Sequence, residues 1–184
     1  MKRYLRLLCV LLVIFILGAA LPPGQAASQG GTVVRVSPEA VTLSPGETTT
    51  IDVEVVNVVK LRAFSVEIHF DPDLISVSNL ALGDFLNYPG FDEFTNDIDN
   101  MAGKVMYGYA IEGNENVQSG TGILFSFDVT VKLVPGETRL VVMDTLLVDL
   151  DHDTIDPQLE HGLVRISTGQ EMDYHLYLPL IMRP

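Results

Sequence analysis

From Thr32 to Ser167 apolar and polar residues alternate with a period of two, and this habit confines the chain to strands. Phe64, Val66, Ile68 and Phe70 are separated by Ser65, Glu67 and His69. Ile51, Val53 and Val55 enclose Asp52 and Glu54, and Ile123, Phe125, Phe127, Val129 and Val131 alternate with Leu124, Ser126, Asp128, Thr130 and Lys132. Successive strand side chains point to opposite faces, so each run offers one face to a core and one to water, as antiparallel strands do. No run carries the 3.6-residue spacing of an amphipathic helix of ordinary length.

Turn chemistry separates the runs. Pro45-Gly46 and Pro135-Gly136 each lie in a PGET string and are placed as type II turns require. Asp71-Pro72 closes one strand, and Asn100 to Gly103 joins two others. Strands are expected near 33–37, 40–43, 48–57, 62–70, 74–82, 93–98, 104–111, 122–132, 138–148 and 161–167. About nine short strands with turns every 8–12 residues make a two-sheet sandwich or jelly roll.

The ends differ from this middle. Lys2, Arg3 and Arg6 precede an apolar run from Leu7 to Leu17, followed by small residues and Pro22-Pro23-Gly24. That order is a secretory signal peptide, expected to end at Ala26, with Ala20 the alternative cut and an uncleaved anchor the rival reading. The apolar run is shorter than the roughly 20 residues of a bilayer span. Cys9 is the one cysteine, so the exported chain has no disulfide and relies on an ordinary core. Residues 1–26 also hold three of the 11 Lys+Arg and none of the 24 Asp+Glu. The remainder is strongly acidic and repels nucleic acid and anionic membrane. A secreted or cell-surface location follows, with no membrane span after cleavage. Residues 27–31 read as a short linker, 32–167 as one β-sandwich, 168–174 as a polar linker, and 175–184, HLYLPLIMRP, as an apolar tail. The tail is open to three readings: a last strand, a docking segment or a sorting mark.

Several strings resemble cohesin domains in order and spacing across 32–167. FSVEIHFDPDLISVSNLALGDFL is similar to the third and fourth cohesin strands, with the aromatic-Asp-Pro corner at Phe70-Asp71-Pro72, then Leu74 and Gly83-Asp84. FTNDIDNMAGKVMYGYA resembles the fifth and sixth strands, and SGTGILFSFDVTVK looks like the eighth. VVRVSPEAVTLSPGETTTIDVEVVNV is similar to the opening and HGLVRI to the closing strand. The resemblance implies an all-β, nine-stranded antiparallel sandwich of jelly-roll topology, related to carbohydrate-binding-module sandwiches. It also implies a dockerin-type protein partner in extracellular assemblies that degrade polysaccharide. In the family that partner lies across the outer face of strands three, five, six and eight. The outward positions here would be Ser65 and Glu67, then Asp97, then Gly108 and Ala110, with Glu112 just beyond. A well-studied branch uses Asn and Asp on the third strand where this chain offers Ala63 and Ser65.

Other chemistry is sparse. Asp149, Asp151, Asp153, the Ile155 carbonyl and Glu160 fall at calcium-loop positions, since calcium takes several hard oxygen ligands. Against calcium, Thr154 stands where the sharp turn needs Gly, Pro157 follows, and strands flank the loop. No cofactor is required for the expected role, with calcium as the open alternative. The four histidines lack zinc-site spacing, and no serine sits in a nucleophile elbow. An enzyme is therefore not expected. Two alternatives to protein docking stand. One is a carbohydrate-binding module using the 84–94 loop, where Tyr88 and Phe91 form a platform; against that, Phe85 and Phe94 cap the open end of the core while Tyr88 and Phe91 are incidental. The other is a structural surface or adhesin domain tethered by the tail.

Overall fold

A computed structural model describes residues 30–86, 92–112 and 116–167. The proposed signal peptide, the 168–174 linker, the tail, Tyr88 and Phe91 lie outside them.

Eleven strands run in chain order: β1 (Val33–Ser37), β2 (Ala40–Leu43), β3 (Thr48–His69), β4 (Ile75–Leu82), β5 (Asp92–Asp99), β6 (Lys104–Ala110), β7 (Gln118–Val131), β8 (Gly136–Asp149), β9 (Thr154–Ile155), β10 (Gln158–Glu160) and β11 (Gly162–Ile166). There is no helix among the described residues, and hence none long and apolar enough to cross a membrane.

The expected strands at 48–57 and 62–70 are one, β3, bent in the middle. Asn57 and Lys60 have φ of 56° and 52° there, and the pairing register slips between Val55, Val58 and Leu61. Left-handed backbone and bulges of this kind turn a strand sharply. Hydroxyls hold the bend: Thr121 Oγ1 accepts the Asn57 amide at 3.3 Å and Ser119 Oγ accepts that of Lys60 at 2.7 Å. Before the bend β3 lies between β1 and β7; after it, β3 lies between β6 and β8. One strand thus serves two sheets, β4–β7–β3–β1–β10 and β5–β6–β3–β8, the latter carried on through the start of β8 to β11 and β2. The outermost pairs β1–β10 and β2–β11 are parallel, where antiparallel pairing was expected throughout.

The inward faces meet in one core. Phe125 of β7 stacks on Tyr107 of β6 at 5.4 Å and on Phe64 of β3 at 6.3 Å between ring centroids. Offset ring pairs add to area burial, and these carry it from sheet to sheet. Burial and the nearby Glu93 push the Tyr107 hydroxyl pKa up to about 12. The type II turn holds at Pro45-Gly46, where Glu47 N–H donates to Ser44 O at 2.9 Å and Gly46 has φ of 81°. It does not hold at Pro135-Gly136. Gly136 is extended and paired with Ile166, and a Cβ there would meet Leu74 at 3.1 Å.

Candidate docking face

The outer face of β5–β6–β3–β8 can be read rung by rung, because residues paired across strands share a face. The central rung is Thr95–Gly108–Ser65–Leu146. Towards the bend lies Ala110–Ala63–Val148, and on the other side Asp97–Met106–Glu67. The last rung is Asp99–Lys104–His69–Val141. Their sequence neighbours Phe64, Val66, Ile68, Val105, Tyr107 and Leu147 fill the core, so the alternation is kept. Five of the six expected partner residues, Ser65, Glu67, Asp97, Gly108 and Ala110, fall on this one face. Glu112 is exposed two residues past the end of β6.

The face divides chemically. At one corner Glu67 is 9% exposed and its carboxylate lies between His69 Nε2, in direct contact, and Lys104 Nζ at 3.9 Å. A carboxylate taken from water needs such partners. Beside it, Asp99 accepts the amides of Met101 and Ala102, each at 2.9 Å, and these bonds hold its pKa below the ordinary value. Away from this corner and Asp97, the face sets Ser65 and Thr95 among apolar residues. Leu146 is 48% exposed and Phe94 is 53% exposed, with half-buried Ala63, Met106, Ala110 and Val148 around them.

Phe94 was expected at the core's open end and is instead out on this face. A bulge between Glu93 and Thr95 reverses the side on which it emerges. Its ring lies over Gly108, whose Cβ, if present, would stand 2.4 Å from Phe94 Cε2. Gly108 therefore acts as a seat for the ring. Phe85 does pack inward as expected, against Gly122, where a Cβ would be 2.5 Å from its Cδ2.

The eighth-strand expectation is corrected. SGTGILFSFDVTVK is β7, paired with β4 and the first half of β3, and so lies in the opposite sheet. The strand that completes the β5–β6–β3 sheet is β8. Both segments alternate apolar and polar, and alternation does not say which sheet a strand joins. Leu146 was missed for that reason.

The acidic loop is a tight turn. Asp149 Oδ1 accepts the amides of Asp151 and Asp153, each at 2.9 Å, and Asp149 N–H donates to Asp153 O at 3.0 Å. Glu160 stands on β10 opposite Arg35 of β1. Among the described residues no three His, Cys, Asp or Glu form a metal-holding group, so Asp149, Asp151, Asp153 and Glu160 are not brought together as one.

Known structures share this architecture. A non-cellulosomal cohesin from the archaeon Archaeoglobus fulgidus aligns with a TM-score of 0.60 at 18% identity, over 81% of this chain and all, 100%, of that one. The cohesin of a type I cohesin–dockerin complex from Clostridium thermocellum aligns at 0.64 and 20% identity, over 75% of this chain and 100% of its own. A type II cohesin from the cellulosome of Acetivibrio cellulolyticus aligns at 0.62 and 14% identity, over 73% and 95%. Curated proteins offer no match. The family model for the cohesin domain matches residues 34–165, which span every strand that builds the two sheets, and the chain therefore belongs to the cohesin family.

Proposed function

We propose that this protein is an exported, non-catalytic cohesin module that receives a dockerin-type protein on the outer face of β5–β6–β3–β8. The observation that carries the reading is the exposed apolar group of Leu146 and Phe94, with Met106 and Ala63 beside them, on the face of an otherwise acidic chain. Contiguous exposed apolar surface of this kind marks protein contact sites. Aromatic and aliphatic anchors within a polar rim are where binding energy concentrates. Support also comes from the likeness to cohesins solved with dockerins bound. The charged corner of Glu67, His69, Lys104 and Asp97 supplies orientation, because charge complementarity sets register more than affinity. In this reading docking draws on side chains alone, without a cofactor, and the leader Met1–Ala26 takes the module out of the cell.

The test is a titration of the purified chain with dockerin modules, alongside plant and bacterial oligosaccharides. Saturable one-to-one binding of a dockerin, lost in Leu146→Asp, supports the reading. Binding of an oligosaccharide that responds to Tyr88→Ala, with no dockerin bound, overturns it in favour of the carbohydrate module.

A further inference from the structure

On one side of the sandwich the chain crosses between its sheets twice, and a groove lies between these crossings and β8. The first crossing joins β1 to β2 through Pro38 and Glu39; the second joins β10 to β11 through His161. They run side by side, since Leu163 N–H donates to Glu39 O at 2.9 Å. Next to them the outer surface of β2–β11–β8 carries the rung Ala40–Leu163–Arg139, followed by Thr42–Arg165–Glu137. The groove is half-open and about 550 Å³ in volume, within the roughly 300–1,000 Å³ of ligand clefts. Ala40 and Leu163 give it an apolar strip.

The charges around this strip are not spent on one another. Arg139 makes no hydrogen bond or ion pair among the described residues. Arg165, its diagonal neighbour across β8–β11, meets Glu137 Oε2 at 3.6 Å, with the two side chains 51% and 66% exposed. So exposed a pair is worth little, and Arg165 is free to turn to another anion. Glu39 and Glu160 line the same groove, and neither carboxylate is paired among the described residues. His161 Nδ1 accepts the Val142 amide at 3.2 Å, which leaves the proton of the neutral ring on Nε2 as a donor. Two adjacent cations repel, and a bound anion relieves them.

We propose that this groove binds an acidic sugar, a hexuronate unit of a polysaccharide, with its carboxylate on Arg139 and Arg165. Three demands select that ligand. The arginines call for a planar anion, which a guanidinium takes through paired hydrogen bonds. Glu39 and Glu160 call for donors, and vicinal hydroxyls supply them. The strip of Ala40 and Leu163 takes the C–H face of a pyranose ring. Phosphate meets the first demand alone, and the two glutamates oppose its second negative charge. A small zwitterion carries no ring for the strip. None of these residues lies on the docking rungs, so the site is additional to dockerin binding.

The test is calorimetric titration of the full chain with tri-galacturonate, its methyl ester, inorganic phosphate and glycine. Saturable binding of tri-galacturonate is expected, weakened about tenfold or more by esterification or by Arg139→Gln, as loss of a charge-assisted contact requires. Arg139 is exposed, so its replacement leaves the core intact. Arg62→Gln, which removes a cation outside the groove, should bind as wild type. Glu160→Ala separates sugar recognition from bare charge attraction. Weaker binding there supports hydroxyl recognition, whereas unchanged or tighter binding overturns the sugar assignment. No binding of tri-galacturonate, or equal binding of its ester, overturns the proposal, and so does binding of phosphate or glycine alone. Dockerin binding by Arg139→Gln should match wild type, so a failure here is separable from a failure of the docking reading.

Discussion

The two outer faces of this sandwich are built by the same alternation, yet they present opposite chemistry. On β4–β7–β3–β1 the outward side chains satisfy one another. Thr48 and Thr130 hydroxyls meet at 2.7 Å, Thr50 donates to Asp128 at 2.7 Å, Asn79 donates to the same carboxylate at 2.8 Å, and Arg35 pairs with Glu54 at 2.6 Å. Such a face is largely paired within itself. On β5–β6–β3–β8, Leu146 and Phe94 are exposed, and the Glu67 corner is internally paired. One face is finished by its own residues; the other gains when something dry is laid upon it.

Substitutions separate the two faces, and the largest effect is expected where they share a support. Phe125→Ala removes the ring that links β7 to Phe64 and Tyr107. It should cost about 3–5 kcal/mol in denaturant unfolding, as buried Phe→Ala changes do, and damage both faces together. Leu146→Asp comes next. It should weaken dockerin binding by about 2 kcal/mol or more while unfolding stays within about 0.5 kcal/mol of wild type. Asp128→Ala should do the reverse: binding unchanged, with stability reduced by about 1 kcal/mol through the two lost hydrogen bonds.

The smallest effects concern pH, and two carboxylates of the finished face should respond with opposite sign. Hydrogen bonds from Asn79 and Thr50 lower the Asp128 pKa. Its stabilising contribution is therefore complete above the unfolded value of about 3.9 and is lost as pH falls through the depressed folded value. Asp52 is raised by burial, then by Glu54 and Asp84. Its contribution is present below the unfolded value and is lost as pH rises through the raised one. Asp52→Asn should thus raise Tm slightly at pH 7, by about 2 °C or less, while Asp128→Asn lowers it and flattens the acid limb of the stability curve.

Most of the fold was legible because strand alternation and turn signals such as Pro45-Gly46 and Asp71-Pro72 are local. β1, β2 and β11 fall within a residue or so of their expected bounds. What stayed hidden depends on partners distant in sequence. Nothing in NVVK announces that residues 57–60 bend one strand into two sheets, since Asn57 and Lys60 adopt positive φ under tertiary demand. Sheet membership of β7 and β8 is likewise a matter of register. The outward face was legible on β3 and β6, where parity fixes which side chains point out, and opaque at Phe94, where a bulge changes parity. The residues first singled out were the polar ones of the face; the apolar anchors between them were not, because an exposed leucine has no mark in a sequence that distinguishes it from a buried one.

Backbone hydrogen exchange of the chain with and without a saturating dockerin tests the central claim most directly. The account predicts new protection in 63–69, 92–99, 104–110 and 141–149, with 33–36, 48–54, 75–82 and 122–131 unchanged. Protection confined to the second set, or to the 84–94 loop, would contradict it.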